Sequence, residues 1–333
     1  MKHVTMADVA ALAKVSKSTV SQYINNRYDY MSEETKRRIE AAIQQLGYKP
    51  NYVAKSLKQK QTSTIGVIVA NILHTFSTQV IRSIEDVCRE ANFHVIVCNA
   101  DDDPRQEKEY IEMLRAKQVD GLIVFPTGGN MKLYEEMVAA KYPLLFVDRL
   151  VQGLPVESIL LDNEKAAGLA VDHLVENGYT RIGMLTTSLE QGITPRVERI
   201  NGYKKALEKH SLPVREEYYA GVELSRMEAV LEEMFRLPEP PEALIAGNDL
   251  TIMEILKFIK KHNLAIPDQV AVIGIDEVSF SSIYHPPLTT IAQPAFEMGK
   301  MAAEKLLAQI KGPYPEQREV QRFAPKLIVR KST

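Results

Sequence analysis

The chain has 333 residues, of which 45% are hydrophobic, with 41 Lys+Arg, 43 Asp+Glu and two cysteines. This length allows a small domain followed by a core of about 270 residues. Two cysteines give no disulfide framework, and the absence of a signal peptide or an apolar run of about 18 residues predicts a cytoplasmic protein that is neither secreted nor membrane-spanning.

Charge is distributed unevenly along the chain. Residues 1–62 carry 11 Lys+Arg and 5 Asp+Glu, a net charge of +6, which leaves 30 against 38, or −8, for residues 63–333. A basic head on an acidic body suits phosphate neutralisation and predicts DNA binding that weakens steeply with salt.

Capping residues predict two short helices in the segment VTMADVAALAKVSKSTVSQYINN, which starts at Val4. Thr5, with Asp8 three residues later, makes an approximate capping box for the first helix. Ser16 caps a second helix over about 17–25. Two helices joined by so tight a turn indicate a helix-turn-helix.

The second predicted helix has an apolar and a polar face. Val20 and Ile24 form the apolar pair. The polar face carries Lys17, Ser18, Ser21, Gln22 and Asn25. In a major groove, glutamine pairs bidentately with adenine and lysine reaches guanine acceptors. A solvated helix face is the alternative, which the caps and the turn spacing disfavour.

A third helix and a linker complete the first segment. Ser32 opens a helix that runs to about Leu46 and ends at Gly47. Pro50 prevents its continuation, and PNYVAKSL at residues 50–57 predicts one short amphipathic turn that is unstable alone. An ordinary interdomain linker is the alternative.

Beyond residue 62, short β-branched runs alternate with helical patterns. Strands are predicted at 64–69, 94–99, 121–125, 144–147, 158–161, 181–185, 243–246 and 270–275. Helices are predicted at 78–91, 106–116, 132–140, 164–177, 197–209 and 250–262. This alternation predicts an α/β fold of parallel sheets flanked by helices, in two successive series that form two lobes.

Polar residues follow most of these strands. They lie at 71–77, 99–103, 148–149, 162–163, 247–249 and 276–277, and Arg196 and Arg199 precede a helix in the RINGY segment. Ligands of open α/β sheets bind beyond the carboxyl ends of the strands. We therefore expect a cleft in which carboxylates, amides and arginines bind hydroxyl groups and Phe76 stacks on a sugar ring. Each residue alone is equally compatible with a loop cap or a surface charge.

Enzyme and transport functions fit the sequence poorly. It contains no G-x-G-x-x-G, G-x-x-x-x-G-K-[ST], G-x-S-x-G or H-E-x-x-H motif, and its seven histidines lack metal spacing, so neither a metal nor another cofactor is expected. A sugar-binding transport protein with the same core fold is the nearest alternative. It would need a signal peptide and would lack the basic head.

From Val4 to Leu57 the chain resembles the DNA-binding headpiece and hinge of the LacI/GalR family of bacterial transcription regulators, and the remainder resembles that family's sugar-binding core. The resemblance implies that bases are read by Lys17, Ser18 and Gln22. It implies phosphate contacts by Thr5, Ser16, Thr19, Ser21, Asn25, Thr35, Tyr48 and Asn51. The hinge residues implied in DNA binding are Ala54, Lys55 and Leu57, with Leu57 wedged between base steps in the minor groove.

The resemblance also implies an effector site. It places Arg199 of RINGY and Asp276 of GIDEVSFSSIYHPPLTTIAQP on effector-binding positions, together with Asn248 of GND, Arg149 of VDR, and Phe76. Arg149, Arg196 and Arg199 together suggest an anionic effector such as a sugar acid. The stretch IGVIVANILHTFSTQVIRSIEDVC resembles Gram-positive repressors of 2-keto-3-deoxygluconate and uronate utilisation genes.

Three departures from the family pattern affect the DNA-reading head. Lys14 occupies a turn position where the family commonly has glycine, and Gln22 stands where many members have arginine. The loop 26–31 is one residue longer than in the lactose repressor. The operator sequence therefore cannot be copied from a relative.

The expected organisation is a head at 1–48, a hinge at 49–62 and a core at 63–333. The core is divided into an N-lobe of about 63–162 and 292–323 and a C-lobe of about 163–291 and 324–333. A homodimer is expected on a pseudo-palindromic operator, because the ending APKLIVRKST lacks the leucine heptads that make the lactose repressor a tetramer. Effector binding in the cleft is expected to control the hinges, as an inducer or as a co-repressor.

Overall fold

Three capped helices form the first part of the chain in the computed structural model, which describes residues 4–29, 31–48, 61–313 and 319–333. The helices are α1 (Met6–Ala13), α2 (Lys17–Ile24) and α3 (Glu33–Leu46). They belong to the first of two units, which divide between Thr62 and Ser63. The predicted DNA-contact residues Asn51, Ala54, Lys55 and Leu57 lie outside the described residues.

The caps of these helices follow the predicted pattern. Thr5 and Asp8 form the capping box of α1, with the Thr5 N–H donating to Asp8 Oδ2 over 2.8 Å. Ser16 and Ser32 accept hydrogen bonds from backbone N–H groups of α2 and α3. A small apolar core holds the three helices together and comprises Val9, Ala10, Ala13, Val20, Ile39, Ala42 and Tyr48. The predicted helix-turn-helix is confirmed.

Lys14 adopts the left-handed conformation, with φ 50° and ψ 49°, in which a side chain is strained and glycine is not. The turn is stabilised by hydrogen bonds that use its carbonyl groups. Arg38 donates from Nε to the Ala13 oxygen over 3.1 Å and from Nη2 to the Lys14 oxygen over 2.9 Å. These contacts satisfy the end of α1 and offset the strain at Lys14.

The second unit contains two sheets, each with six strands among the described residues. In the first sheet the order is β11-β5-β4-β3-β1-β2. Its strands are β1 (Thr64–Val69), β2 (His94–Asn99), β3 (Gly121–Val124), β4 (Leu144–Val147), β5 (Glu157–Leu161) and β11 (Val320–Phe323). In the second sheet the order is β12-β10-β9-β8-β6-β7. Its strands are β6 (Ile182–Thr186), β7 (Tyr219–Gly221), β8 (Ala243–Ala246), β9 (Ala271–Ile275), β10 (Thr289–Ala292) and β12 (Lys326–Ile328).

Helices cover both faces of each sheet. The first sheet packs against α4 (Thr75–Glu90), α5 (Pro104–Ala116), α6 (Met131–Ala139) and α11 (Ala295–Lys311), and these elements form the first lobe. The second sheet packs against α7 (Asn163–Glu176), α8 (Thr194–Lys209), α9 (Met227–Phe235) and α10 (Asp249–Lys261), and these form the second lobe. Among the described residues, the strand pairs are parallel except for β10 with β12. The predicted fold class is confirmed, although α9, α11 and the strands β7, β10, β11 and β12 were not among the predicted elements.

The chain passes between the two lobes three times. It leaves the first sheet after β5, returns between β10 and α11, and leaves again between β11 and β12. In each lobe the carboxyl ends of the parallel strands lie at one edge of the sheet. The loops that follow these strands line a cleft between the two lobes. None of the described helices is long and apolar enough to cross a membrane. Cys88 and Cys98 are free thiols buried in the first lobe.

Gly202 provides a test of how closely α7 and α8 pack. A Cβ atom at position 202 would lie 2.3 Å from the Glu164 carbonyl oxygen, whereas one at Gly168 on α7 would meet nothing within 4 Å. We expect Gly202→Ala to reduce stability by about 1–3 kcal/mol through overpacking. Gly168→Ala should be neutral or stabilising by about 0.5–1 kcal/mol, because alanine favours the helix. Thermal melts followed by circular dichroism compare the two variants, and equal melting temperatures would contradict the close approach.

Candidate functional site

The helix α2 presents a polar face at the surface of the head. Lys17, Ser18, Gln22 and Asn25 are exposed, and Thr19 and Ser21 are half-buried beside them. The spacing of these residues places them on one side of a helix, opposite the buried Val20. The predicted base-reading residues therefore occupy one accessible face.

Hydrogen bonds fix the start of α2. Ser16 accepts from the Thr19 N–H over 3.1 Å, and its hydroxyl lies 2.6 Å from that of Ser18 and 2.8 Å from that of Thr19. At the other end, the Asn25 amide donates to the Ser21 carbonyl over 2.7 Å. These contacts hold the polar face rigid, which is what direct reading of bases requires.

The remaining predicted phosphate contacts of the head are placed differently from one another. Thr5 is exposed at the start of α1, and Thr35 is half-buried, with its hydroxyl 2.9 Å from that of Ser32. Tyr48 is buried and packs in the core of the head, at 8% exposure. Tyr48 therefore packs against the other core residues of the head. Its contact with phosphate stays a prediction.

A cavity of about 470 Å³ lies between the two lobes of the core, and we call it the inner chamber. All six residues predicted to bind an effector line it: Phe76, Arg149, Arg196, Arg199, Asn248 and Asp276. The other lining residues are Ala70, Asn71, His74, Ser77, Phe125, Asp148, Pro195 and Gln293. They follow strands of both sheets or belong to α4 and α8. The structure thus brings together predicted residues up to 200 positions apart, namely Phe76 and Asp276.

Arg149 and Arg196 share one carboxylate across the cleft. Asp102, in the first lobe, lies 2.7 Å from Arg149 Nη1 and 3.3 Å from Arg196 Nη2 of the second lobe. Although burial opposes ionisation, the two guanidinium groups lower the pKa of Asp102. Burial, and then repulsion by Arg149, lower the pKa of Arg196. Arg149 is only 4% exposed, and its Nε atom is buried with no hydrogen-bond partner in the described part of the chain.

Arg199 is bound by groups of the second lobe. Its Nε donates to Asn163 Oδ1 over 2.9 Å, and its Nη1 donates to the Gly247 carbonyl over 2.5 Å. The side chain is 5% exposed, so these two contacts fix the direction of the guanidinium group. Asn248 accepts from the Thr251 N–H over 2.8 Å and caps α10 at the wall of the chamber.

An acidic pair joins the lobes beside Arg199. Asp276 accepts from the Asp249 N–H over 3.2 Å and from Gln293 Nε2 over 2.5 Å. Burial raises the pKa of Asp276 to about 6, with Arg199 acting in the opposite direction and Asp249 reinforcing the rise. Asp249 in turn binds the first lobe, through His74 Nδ1 at 2.5 Å and the Thr75 N–H at 2.6 Å. This bond raises the pKa of His74 against the effect of burial and lowers that of Asp249.

One wall of the inner chamber is apolar. Phe76 and Phe125 pack edge to face with ring centroids 6.4 Å apart, and both rings line the chamber. A cavity with one aromatic wall and several fixed amides, carboxylates and guanidinium groups can bind the apolar face of a small polyol and its hydroxyl groups at once.

Sequence reasoning did not single out four polar residues of this site. His74, Asp102 and Asp148 lie within the polar segments that follow predicted strands, so their strand-end position was a signal. Gln293 follows β10, a strand that the sequence pattern did not reveal.

Comparisons with known proteins match both parts of the chain. A model of bacterial regulatory proteins of the lacI family matches residues 5–51, and a model of the periplasmic binding protein-like domain matches residues 171–333. The chain is 50% identical over 307 residues to a probable HTH-type transcriptional regulator, EndR, of Paenibacillus polymyxa, covering 92% of this chain and 90% of that one. It is 32% identical over 339 residues to the HTH-type transcriptional regulator KdgR of Bacillus subtilis (strain 168), covering 99% and 98%.

A solved structure also resembles the chain along its length. The lac repressor dimer bound to operator and the anti-inducer ONPF has a TM-score of 0.85 and 28% identity, and the alignment covers 99% of both chains. These similar proteins are regulators of transcription. They confirm the prediction of a regulator rather than an enzyme.

Asp276→Asn should change how stability depends on pH. An acid whose pKa is raised on folding, here from 3.8 to about 6, supports the fold fully below pH 4 and loses that contribution as the pH rises through 6. The asparagine variant lacks this loss, so its stability relative to the parent should rise between pH 4 and 6, by up to about 3 kcal/mol.

Urea unfolding of both proteins at several pH values measures this difference. Asp268→Asn, at an exposed position, is the matched control and should show a flat difference over the same range. His74 does not confuse the result, because a histidine with a raised pKa loses its contribution only above pH 6.5. A difference that stays flat or falls between pH 4 and 6 would show that burial does not raise the pKa of Asp276.

Proposed function

Because the chain belongs to the LacI family of bacterial regulatory proteins, we propose that it is a cytoplasmic repressor of carbohydrate-utilisation genes, controlled by a small-molecule effector. Family membership makes it a DNA-binding regulator of transcription with a ligand-binding core. The regulated genes, the effector and the residue roles are the proposal.

The observation that carries the DNA-binding part is the exposed polar face of α2 on a head of net charge +6. We assign base reading to Lys17, Ser18 and Gln22, because they are exposed and the contacts around Ser16 fix the helix that bears them. Phosphate contacts fall to the hydroxyl and amide groups that flank this face.

The hinge and a second subunit complete the proposed complex. We assign minor-groove contacts to Ala54, Lys55 and Leu57 on the strength of the sequence PNYVAKSL alone. A homodimer would present two heads to a pseudo-palindromic operator. Some large apolar side chains are exposed on the surface of the second unit, among them Leu73 at 72% and Ile283 at 81%. A second copy of the chain can cover them.

The effector proposed for the inner chamber is a carbohydrate. Phe76 offers a stacking surface, and Arg199, Asn248 and Asp276 offer fixed donors and acceptors. Three arginines suggested a sugar acid, and 2-keto-3-deoxygluconate remains a candidate. In the structure, however, Asp102 pairs with Arg149 and Arg196, and Asp148 lies 3.6 Å from Arg149. These two carboxylates compensate the charge of two of the arginines, so a neutral sugar suits the chamber as well.

Control of DNA binding is proposed to act through the relative position of the two lobes. The His74–Asp249 and Arg196–Asp102 contacts cross the cleft, and Arg322 of β11 binds Glu198 of α8 at 2.6 Å. A ligand in the chamber shifts the equilibrium only if it binds one lobe arrangement better than the other. Inducer and co-repressor behaviour both satisfy this condition.

Gln22→Ala should relax the preference for one base pair in each half-site, at a cost of about 1–3 kcal/mol for the preferred sequence. Selection of binding sites from random DNA, with the parent and the variant in parallel, measures this. Gln45→Ala, an exposed glutamine on α3, is the control and should leave the selected sequence unchanged. If the parent and both variants selected the same sequence, Gln22 would not be a base-reading residue.

The operator sequence found by this selection makes it possible to test the proposed effector. The affinity of the protein for this operator is measured while sugars and sugar acids, including 2-keto-3-deoxygluconate, are added. We expect at least one carbohydrate to change operator affinity about tenfold or more, which corresponds to a typical allosteric coupling of 1–3 kcal/mol. Arg199→Lys should weaken this response and retain operator binding without ligand, because lysine cannot reproduce the two fixed donors of arginine.

Arg236→Lys is the matched control for that titration, since its side chain is 75% exposed on the second lobe. It should respond like the parent protein. An operator affinity that no sugar or sugar acid alters would exclude a carbohydrate effector.

A further inference from the structure

A second cavity, of about 720 Å³, adjoins the inner chamber, and we call it the outer chamber. Asn71, His74 and Arg196 line both chambers, so the two are continuous. A single sugar ring leaves the outer chamber unused.

The outer chamber is built by both lobes. Asp101 and Asp102 follow β2 of the first sheet, Ser188 and Glu190 follow β6, and Glu223 follows β7 of the second sheet. A group bound there contacts the two lobes at once, as a group in the inner chamber does. The carboxyl ends of β2, β6 and β7 thus extend the site along the cleft.

The two chambers differ in chemistry. The inner chamber has two phenylalanine rings and three arginines. The outer chamber is lined by four carboxylates, with Arg196 as its arginine and no phenylalanine, tyrosine or tryptophan among its lining residues. Asp102 is already paired with Arg149 and Arg196. Glu190 and Glu223 are exposed at the rim and form no ion pair within the described residues. The outer chamber therefore has an excess of negative charge.

This excess of negative charge determines which class of ligand can bind in the outer chamber. A carboxylate or phosphate there would be repelled by Glu190, Glu223 and Asp101. Sugar hydroxyl groups, in contrast, donate hydrogen bonds to carboxylates, and such charge-assisted bonds are the strong ones. An uncharged polyol ring satisfies both requirements.

We propose that the effector is an uncharged saccharide of at least two rings, with one ring on Phe76 in the inner chamber and the next in the outer chamber. This inference rests on the proposed carbohydrate effector and narrows it from a sugar or sugar acid to a neutral oligosaccharide. The second ring gives specificity, since its contacts with Glu190 and Glu223 are beyond the reach of a monosaccharide in the inner chamber.

Isothermal titration calorimetry of the full chain tests the proposal with matched probes. These are glucose with cellobiose and maltose, mannose with β-mannobiose, xylose with xylobiose, and glucuronate with a glucuronic acid-containing disaccharide. We expect one neutral disaccharide to bind at least thirtyfold more tightly than its own monosaccharide. Binding of a monosaccharide within threefold of its disaccharide, or tightest binding of an acidic sugar, overturns the two-chamber assignment but leaves a carbohydrate effector in place. Failure of every saccharide to bind refutes the carbohydrate effector itself.

Two variants place the second ring in the outer chamber. Glu223→Ala and Glu190→Ala should each weaken binding of the preferred disaccharide about tenfold, by loss of a charge-assisted hydrogen bond, and leave monosaccharide binding unchanged. Both side chains are exposed, so the fold should tolerate the changes, and thermal melts check this. Glu217→Ala, at the opposite end of β7, is the control and should bind like the parent. Parent-like disaccharide affinity in both Glu223→Ala and Glu190→Ala would show that no second ring occupies the outer chamber.

Discussion

The cleft of this regulator depends on the carboxylate of Asp102, which lies between Arg149 and Arg196. Two guanidinium groups facing one cavity repel each other, and repulsion by Arg149 contributes to the lowered pKa of Arg196. Asp102 makes their juxtaposition possible, because it offers one oxygen to each. Removal of a single member of such a buried group leaves an uncompensated charge, which costs more than the complete set contributes. The triad therefore determines which charges a ligand can meet in the cleft, more than the number of arginines does.

The backbone aims several of these groups at the cleft. Asp148 and Asp276 have φ values of 67° and 120°, in the region where a residue with a side chain is strained. Both follow the carboxyl end of a strand, β4 or β9, and both line the inner chamber. Asp276 is fixed there by hydrogen bonds from Gln293 and from the Asp249 N–H. Strain at these positions is offset by the surrounding contacts, so the acidic groups are held in place before any ligand arrives.

Local signals explain how much of the structure could be predicted. The caps Thr5, Ser16 and Ser32 depend on residues within three positions, so they were readable from the sequence. The predicted strands were short β-branched runs, whereas β7, β11 and β12 lack that signal and were not predicted. The six residues that were predicted to bind an effector follow strands or lie in motifs, and the structure brings them together around the inner chamber. The residues that pair with the arginines could not be predicted, because the Asp102–Arg196 pair joins the loop after β2 to the first turn of α8, 94 positions away. Tyr48 is a further example: its packing in the core of the head depends on three helices at once, whereas its expected phosphate contact was implied by the family resemblance. The helix α11 was missed, although it packs against α4 and closes one face of the first sheet.

Paired charges also bear on how a ligand controls the protein. The contacts that cross the cleft combine an Asp102–Arg196 pair, a His74–Asp249 pair and, outside the chambers, an Arg322–Glu198 pair. An anionic ligand gains from Arg149 and Arg196 only by competing with Asp102, and competition for Arg196 loosens the bond between the lobes. A neutral saccharide can bind without displacing Asp102 from the arginines, so it leaves the Asp102–Arg196 pair intact. The two classes of ligand would therefore favour different lobe arrangements. The effect of an effector on DNA binding depends on how much more tightly it binds one lobe arrangement than the other. The charge of the effector therefore helps to determine whether it acts as an inducer or as a co-repressor.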